Sequence, residues 1–128
     1  MPFNKRMIKG IGNDIIEIPR MQRAIRRHQV RFLDRVFTLK EQQYCLGHEE
    51  SARHFAGRFA AKEAIVKALG VGLKTGLSWL DFEILNDEHG KPFVKISPKA
   101  EKLFNHPVIL LSISHCKEYA TAVALWQL

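Results

Sequence analysis

The sequence of 128 residues is poor in cysteine and contains no long apolar run. Its two cysteines, Cys45 and Cys116, show neither CxxC spacing nor a disulfide framework, so we expect two reduced thiols. No stretch approaches the roughly 20 apolar residues of a membrane span, and the charged first residues lead into no signal-peptide core. These absences predict a cytoplasmic protein that has no membrane partner.

Aromatic residues are also few, at 9% of the chain, and most of them fall at core-like positions. A stacking platform for RNA bases is therefore not visible. Positive charge is in excess: the net charge of +7 attracts nucleic acid, phosphorylated ligands or an acidic protein without choosing among them. At this length we expect one domain over residues 1–128, and the large exposed share of so short a domain favours oligomerisation.

Hydrophobic periodicity predicts an α+β fold, in which a small, mostly antiparallel sheet packs against one long helix. The predicted strands cover residues 7–16, 80–85, 92–96, 108–114 and 119–126. The predicted helices cover residues 19–28, 38–47, 51–69 and 98–105. Thr38 and Glu41 form a capping-box pattern, Ser51 can cap the long helix, and Gly70 stands where that helix should end.

One charged residue interrupts the apolar face of the long helix. At 100° per residue, a single stripe contains Phe55, Phe59, Val66 and Leu69, and Lys62 falls inside it. A lysine among core positions either snorkels along apolar surface or points at an anion.

Two carboxylates, Asp14 and Glu63, are candidate metal ligands. Glu63 is one turn from Lys67, a spacing that fits an ordinary helix ion pair as well as a functional one. Asp14 lies in an apolar strand that carries glycines, where it would cap the next helix at Pro19 or bind a cation. Brought together, the two carboxylates are of the kind that hold Mg²⁺. His115, at the tip of a strand, is open to phosphate binding, to proton transfer or to no role.

Four segments of the chain, taken in order, resemble the holo-[acyl-carrier-protein] synthase family. They are GNDIIEIPR at 12–20, GRFAAKEAIVKALG at 57–70, GKP at 90–92 and SISHCKEYA at 112–120. The resemblance covers nearly the whole chain after a short N-terminal extension, residues 1–6, and the length is similar to the short, single-domain branch of the 4′-phosphopantetheinyl transferase superfamily. Asn13 and Cys116 depart from the family's usual residues, and neither is an implied metal ligand.

The resemblance implies the 4′-phosphopantetheinyl transferase fold and an Mg²⁺-dependent reaction of fatty acid biosynthesis. In that reaction the 4′-phosphopantetheine arm of coenzyme A moves to a serine of apo acyl carrier protein, and adenosine 3′,5′-bisphosphate is released. The resemblance also implies a homotrimer whose active sites lie between subunits, with acyl carrier protein and coenzyme A as partners and no role for nucleic acid.

Site residues follow from the resemblance position by position. Asp14 and Glu63 are the implied Mg²⁺ ligands, and Glu63, or a water that it orients on the metal, is the implied base for the serine hydroxyl. Lys67 is implied to contact phosphates, and His115 to bind phosphate ahead of proton transfer. The implied coenzyme A contacts are Arg58, Lys62, Lys67, Gly70, Gly72 and His115. The implied carrier-protein contacts are Arg20, extended by Arg26, Arg27 or Arg31.

Two other functions fit parts of the same pattern. A metal-dependent nuclease would use the carboxylates and the basic surface, but it leaves the SISH strand end unexplained. A basic RNA-binding module would show steep salt dependence and no magnesium requirement, and the scarcity of aromatic residues argues against it.

Overall fold

A computed structural model describes residues 7–70, 72–73 and 76–127, so the predicted extension at residues 1–6 lies outside the described part. One strand is followed by three helices, a short 3₁₀ turn at Trp79–Asp81, two strands, a fourth helix and two final strands. The strands are β1 (Ile8–Glu17), β2 (Phe82–Asn86), β3 (Pro92–Ile96), β4 (Val108–His115) and β5 (Tyr119–Gln127). The helices are α1 (Ile18–Val36), α2 (Leu39–Leu46), α3 (Ser51–Leu69) and α4 (Pro98–Leu103).

All strand pairing in the described residues is antiparallel. One sheet has the order β1-β5-β4, and β2 pairs with β3 in a second, two-stranded sheet. The long helix α3 packs across β1 and β5, which confirms the predicted α+β arrangement. None of the described helices is long and apolar enough to cross a bilayer.

Small residues let α3 lie very close to the sheet. The inward face of β5 is a buried row of Ala120, Ala122 and Ala124. On β1, a Cβ atom added to Gly10 or Gly12 would lie 2.1 or 2.0 Å from a backbone carbonyl oxygen of α3. The glycines are therefore required for direct contact between the backbones of β1 and α3.

Local signals place several boundaries correctly and one wrongly. Thr38 and Glu41 make the predicted capping box at the start of α2. Gly70 ends α3 in the left-handed conformation, with φ 78°. The prediction that Ser51 caps α3 is wrong, because Ser51 is already helical and Glu50 occupies the cap without a side-chain hydrogen bond.

Helix α1 breaks where the sequence predicted its end, and then continues. Gln29 has φ 44° and ψ −129°, a conformation that a residue with a side chain rarely adopts. The chain resumes a helical course beyond this residue, and the second segment buries Leu33 and Val36. Burial of these two side chains explains a helical turn that the sequence analysis missed.

The outer face of the three-stranded sheet carries exposed apolar side chains. Ile11 is 66% exposed and Ile15 is 61% exposed on β1. Leu110 on β4 and Val123 on β5 are also exposed, and they belong to the same face because side chains alternate along each strand. A contiguous apolar face of this kind is typical of a protein interface.

Candidate active site

Strand β1 and helix α3 bring three of the predicted catalytic groups together. Lys67 Nζ lies 2.9 Å from Asp14 Oδ1 and donates to the backbone oxygen of Asn13 at 3.0 Å. Lys67 thus pairs across the helix–strand contact with Asp14. Asp14 does not cap α1, whose N-cap residue is Glu17. Neither local alternative is therefore found among the described residues: Lys67 pairs with Asp14 rather than with Glu63, and Asp14 does not cap the helix.

Glu63 lies close enough to Asp14 for the two carboxylates to repel. Burial raises the pKa of Glu63, the charge of Asp14 raises it further, and Lys67 opposes both effects. Both carboxylates line one open cavity of about 590 Å³, together with Glu17, Arg20, Phe59 and Tyr119. We call it the carboxylate cavity, and its volume is within the usual range for small-molecule sites, about 300–1,000 Å³.

The donor set of the carboxylate cavity fits Mg²⁺. This ion usually takes one or two protein carboxylates and completes its shell with water and substrate phosphates. Within the described residues no group of three or more histidine, cysteine, aspartate or glutamate side chains could hold a metal ion. The two carboxylates therefore match the way in which proteins usually bind Mg²⁺, with few protein ligands and with the other positions left to water and phosphate.

A second, smaller cavity lies at the other end of α3. It measures about 180 Å³, and its polar lining consists of Tyr44, Arg53, His54, Arg58, Asn86 and His115. We call it the histidine cavity. Arg58 is only 5% exposed, donates from Nη2 to Asn86 Oδ1, and stacks 3.9 Å from the ring centre of Tyr44. The buried Nε of Arg58 has no hydrogen-bond partner.

Comparison with known proteins decides the family. A model of the 4′-phosphopantetheinyl transferase superfamily matches residues 10–124. A holo-[acyl-carrier-protein] synthase of Protochlamydia amoebophila is 62% identical over 120 residues, which cover 94% of this chain and 98% of that protein. The chain belongs to the 4′-phosphopantetheinyl transferase superfamily.

Solved structures place the chain in the holo-[acyl-carrier-protein] synthase family of this superfamily. The Bacillus anthracis synthase in complex with CoA (3′,5′-ADP) is 38% identical, has a TM-score of 0.80, and the match covers 95% of this chain and 98% of that one. The Helicobacter pylori synthase in complex with coenzyme A is 34% identical, has a TM-score of 0.83, and the match covers 91% and 99%. The protein is an enzyme of this family.

Two of the coenzyme A contacts predicted for this synthase meet in the histidine cavity. Arg58 and His115 both line it, although they come from α3 and from the end of β4. Gly70 and Gly72 lie beyond the other end of α3, and a Cβ atom added to either would meet no atom within 4 Å. Their positive φ angles of 78° and 66° explain the glycines locally. Residue 71, between them, is outside the described part of the chain.

Lys62 does not lie where a nucleotide contact requires it. Its side chain is fully buried, and its ammonium donates to Glu41 Oε1 at 2.7 Å, to the Val36 oxygen at 2.7 Å and to the Trp79 oxygen at 3.0 Å. All three ammonium hydrogens are therefore used inside the chain. The prediction that Lys62 contacts the nucleotide has to be corrected: the anion at which it points is Glu41.

The arginines predicted to meet a carrier protein are exposed on α1 but do not form a single patch. Arg20 and Arg27 share a shallow groove with Arg23, and Arg27 also borders a depression lined by Arg31. Arg26 lies elsewhere, in a groove that contains Glu49 and Glu50.

Sequence reasoning did not single out Arg23, which lines the groove with Arg20 and Arg27, or His54, which lines the histidine cavity. Spacings of three and four residues place Arg23 with Arg20 and Arg27, and His54 one turn before Arg58. These spacings were the sequence feature from which the positions of Arg23 and His54 could have been predicted.

Proposed function

We propose that this protein transfers the 4′-phosphopantetheine arm of coenzyme A to a serine hydroxyl of apo acyl carrier protein and releases adenosine 3′,5′-bisphosphate. The observation that carries the proposal is the meeting of Asp14 and Glu63 at one cavity of a synthase-family chain, with Lys67 paired to Asp14. Relatives solved with CoA (3′,5′-ADP) or coenzyme A support the choice of co-substrate. We further propose that the reaction serves fatty acid biosynthesis in the cytoplasm.

Asp14 and Glu63 would hold Mg²⁺, because a divalent cation removes the repulsion that raises the pKa of Glu63. When bound, the ion would offset the charge of pyrophosphate oxygens during phosphoryl transfer. Lys67, whose side chain is 53% exposed, can exchange its contact with Asp14 for a phosphate oxygen.

Glu63, or a water that it orients, is the proposed acceptor of the serine proton. As the serine oxygen bonds to the β-phosphorus, the bond to the leaving phosphate oxygen of adenosine bisphosphate breaks, and the hydroxyl proton needs an acceptor. A carboxylate within hydrogen-bond reach of the hydroxyl, or of a bridging water, can supply that acceptor.

The active site would be completed between subunits of a homotrimer. The carboxylate cavity and the histidine cavity have no lining residue in common, so within one chain they are separate. The exposed apolar face of the sheet, with Ile11, Ile15 and Val123, supplies a surface for self-association. One subunit would offer the carboxylates and its neighbour the histidine cavity.

Arg20 borders both the carboxylate cavity and the groove on α1 that it shares with Arg23 and Arg27, which we call the arginine groove. A carrier protein bound at this groove would therefore lie next to the proposed reaction site. An acidic carrier-protein helix on this groove would bring the attacking serine near Glu63. Arg27 and Arg31 extend the positive charge along α1, and such complementarity mainly raises the association rate and sets orientation.

Intact-mass spectrometry of apo acyl carrier protein, incubated with this protein, coenzyme A and Mg²⁺, tests the proposal. We expect the carrier to gain one phosphopantetheine, and we expect a chelator to abolish that gain. Asp14→Asn and Glu63→Gln should remove the activity while the protein stays folded, whereas Glu88→Gln, at an exposed turn residue, should retain it. Full activity of either carboxylate variant would refute the metal assignment.

Mixing two inactive variants tests the shared site. In Asp14→Asn the carboxylate cavity is defective, and in Arg58→Ala the histidine cavity is defective. When subunits exchange, some interfaces join an intact carboxylate cavity of one chain to an intact histidine cavity of its neighbour. Random mixing at equal amounts should recover about a quarter of wild-type activity if each site uses both halves from different chains. A site contained in one chain would give no recovery.

A further inference from the structure

Two histidines, His54 and His115, line the histidine cavity, and a third, His48, lies against the ring of His54. The ring of His54 lies between that of His48, at 3.9 Å between centroids, and that of His115, at 5.7 Å. Tyr44 approaches His54 edge-on at 5.8 Å. The Tyr44 carbonyl accepts from His48 Nδ1 at 2.8 Å, which fixes the proton of His48 on that nitrogen. The family resemblance gives a role to His115 alone, so His48 and His54 remain unexplained.

The groups that face His54 are positive or neutral. Arg53 and Arg58 flank it on α3, His48 faces it from the turn after α2, and His115 faces it from β4. Burial, reinforced by these neighbours, lowers the pKa of His54 to about 4. In the ligand-free chain His54 is therefore neutral at neutral pH.

No carboxylate lines the histidine cavity within the described residues of the chain. Glu50, which is exposed, pairs with Arg53 at 3.0 Å. Arg58 has no carboxylate within ion-pair distance among the described residues, and its buried Nε lacks an acceptor. A buried guanidinium with a free donor is costly unless an anion reaches it.

The size of the cavity restricts what that anion can be. At about 180 Å³ it is smaller than the roughly 300–1,000 Å³ of sites that enclose whole ligands. It can take one group of a larger ligand, and a phosphate matches both the guanidinium and the imidazoles. This step rests on the proposed function, which supplies a phosphate-bearing co-substrate.

We propose that His54 is a further ligand-binding residue of this synthase, and that it takes up a proton when a phosphate of coenzyme A enters the histidine cavity. The phosphate brings negative charge next to an imidazole that is otherwise surrounded by cations. An anion within hydrogen-bond reach favours the protonated ring, which then donates to a phosphate oxygen. Coenzyme A would therefore bind here together with a proton.

Linkage gives the sign of the effect. Because His54 binds its proton more tightly in the complex than in the free protein, falling pH strengthens coenzyme A binding between the bound and the free pKa. One proton changes the affinity by up to about tenfold per pH unit within that window. Protonation of the phosphate itself, with a second pKa of about 6, opposes the trend at lower pH, but it is common to the wild type and a His54 variant, so their difference between about pH 5 and pH 7 is informative.

Titration calorimetry in two buffers of different protonation enthalpy measures the protons taken up. With coenzyme A at pH 6.5, we expect His54→Gln to take up fewer protons than wild type and to lose most of the pH dependence. His106→Gln, which changes a histidine that contacts Glu101 and does not line the histidine cavity, should behave as wild type. Dephospho-coenzyme A identifies the phosphate: uptake that needs the 3′-phosphate assigns that group to the cavity, and unchanged uptake assigns the pyrophosphate.

The His54 ring signals in an NMR titration provide a direct readout. We expect a pKa of about 4 without ligand and a value at least two units higher with coenzyme A bound. Coenzyme A binding with equal proton uptake by wild type and His54→Gln, or with no change in the His54 titration, would overturn the inference and leave the proposed function intact. Failure of the wild-type protein to bind coenzyme A at any pH would overturn both.

Discussion

Replacing Lys62 by methionine tests the most unusual feature of the interior, a lysine and a glutamate that are both fully buried. Lys62 and Glu41 have 0% exposed side chains and are joined at 2.7 Å. Burial lowers the pKa of Lys62, and the charge of Glu41 opposes that effect. Methionine has a similar length and leaves no large cavity, so the substitution removes the charge and its hydrogen bonds rather than the packing.

The expected loss is large because the partners stay behind. Glu41 keeps hydrogen bonds from the backbone nitrogens of Thr38 and Ile84, but its charge loses its cation. Val36 and Trp79 each lose a donor to their carbonyl oxygens. Removing one member of a buried pair costs about 3–5 kcal/mol of unfolding free energy. With an m-value of about 2 kcal/mol/M, the urea midpoint should fall by roughly 2 M.

Two comparisons make the urea experiment decisive. Lys40→Met, at an exposed position of α2, should change the unfolding free energy by less than about 0.5 kcal/mol. Adding Glu41→Gln to Lys62→Met should recover part of the loss, because the buried negative charge is then removed as well. A loss below about 1 kcal/mol for Lys62→Met, or no recovery in the double variant, would refute the reasoning.

Three further substitutions or reactions test the backbone and the thiols. Gln29→Gly should raise the unfolding free energy by about 1 kcal/mol, measured by urea titration, because glycine accepts the positive φ without strain. Gly12→Ala should prevent stable folding, since its Cβ would lie 2.0 Å from a helix carbonyl, whereas Gly47→Ala, with no contact closer than 3.4 Å, should melt close to wild type. A thiol reagent should modify Cys116, whose exposed thiol has its pKa lowered by backbone hydrogen bonds, and should spare Cys45 until unfolding, because burial raises the pKa of Cys45 to about 12. Equal rates for the two thiols would contradict the structure.

Short-range chemistry in the sequence was sufficient for most of the fold. The capping box at Thr38 and the glycine at position 70 act within a few residues, so their effects could be predicted. The continuation of α1 beyond Gln29 could not, because it depends on burying Leu33 and Val36 against distant elements. Propensity describes the local cost of a conformation, and tertiary packing can exceed it.

The site shows the same division between local and distant causes. The family resemblance predicted that Asp14 and Glu63 would act together, and the glycines of β1 give the physical reason that the strand can approach α3. Nothing in the sequence indicated that Glu41, 21 residues away, would form the ion pair with Lys62. His48, His54 and His115 likewise meet only because the fold brings three elements to one place.

The buried ammonium of Lys62 also restricts the rotation of α3 about its own axis. Its three acceptors belong to α1, α2 and the 3₁₀ turn, so they resist rotation of the helix about its own axis. Glu63 is the next residue, 100° further round, and a rotation of 20° would displace its Cα by about 0.8 Å. A displacement near 1 Å can reduce a reaction rate by about a hundredfold. A lysine with no contact to substrate therefore determines the angle at which the carboxylate of Glu63 faces Asp14, and substitutions in α2 can alter turnover from a distance.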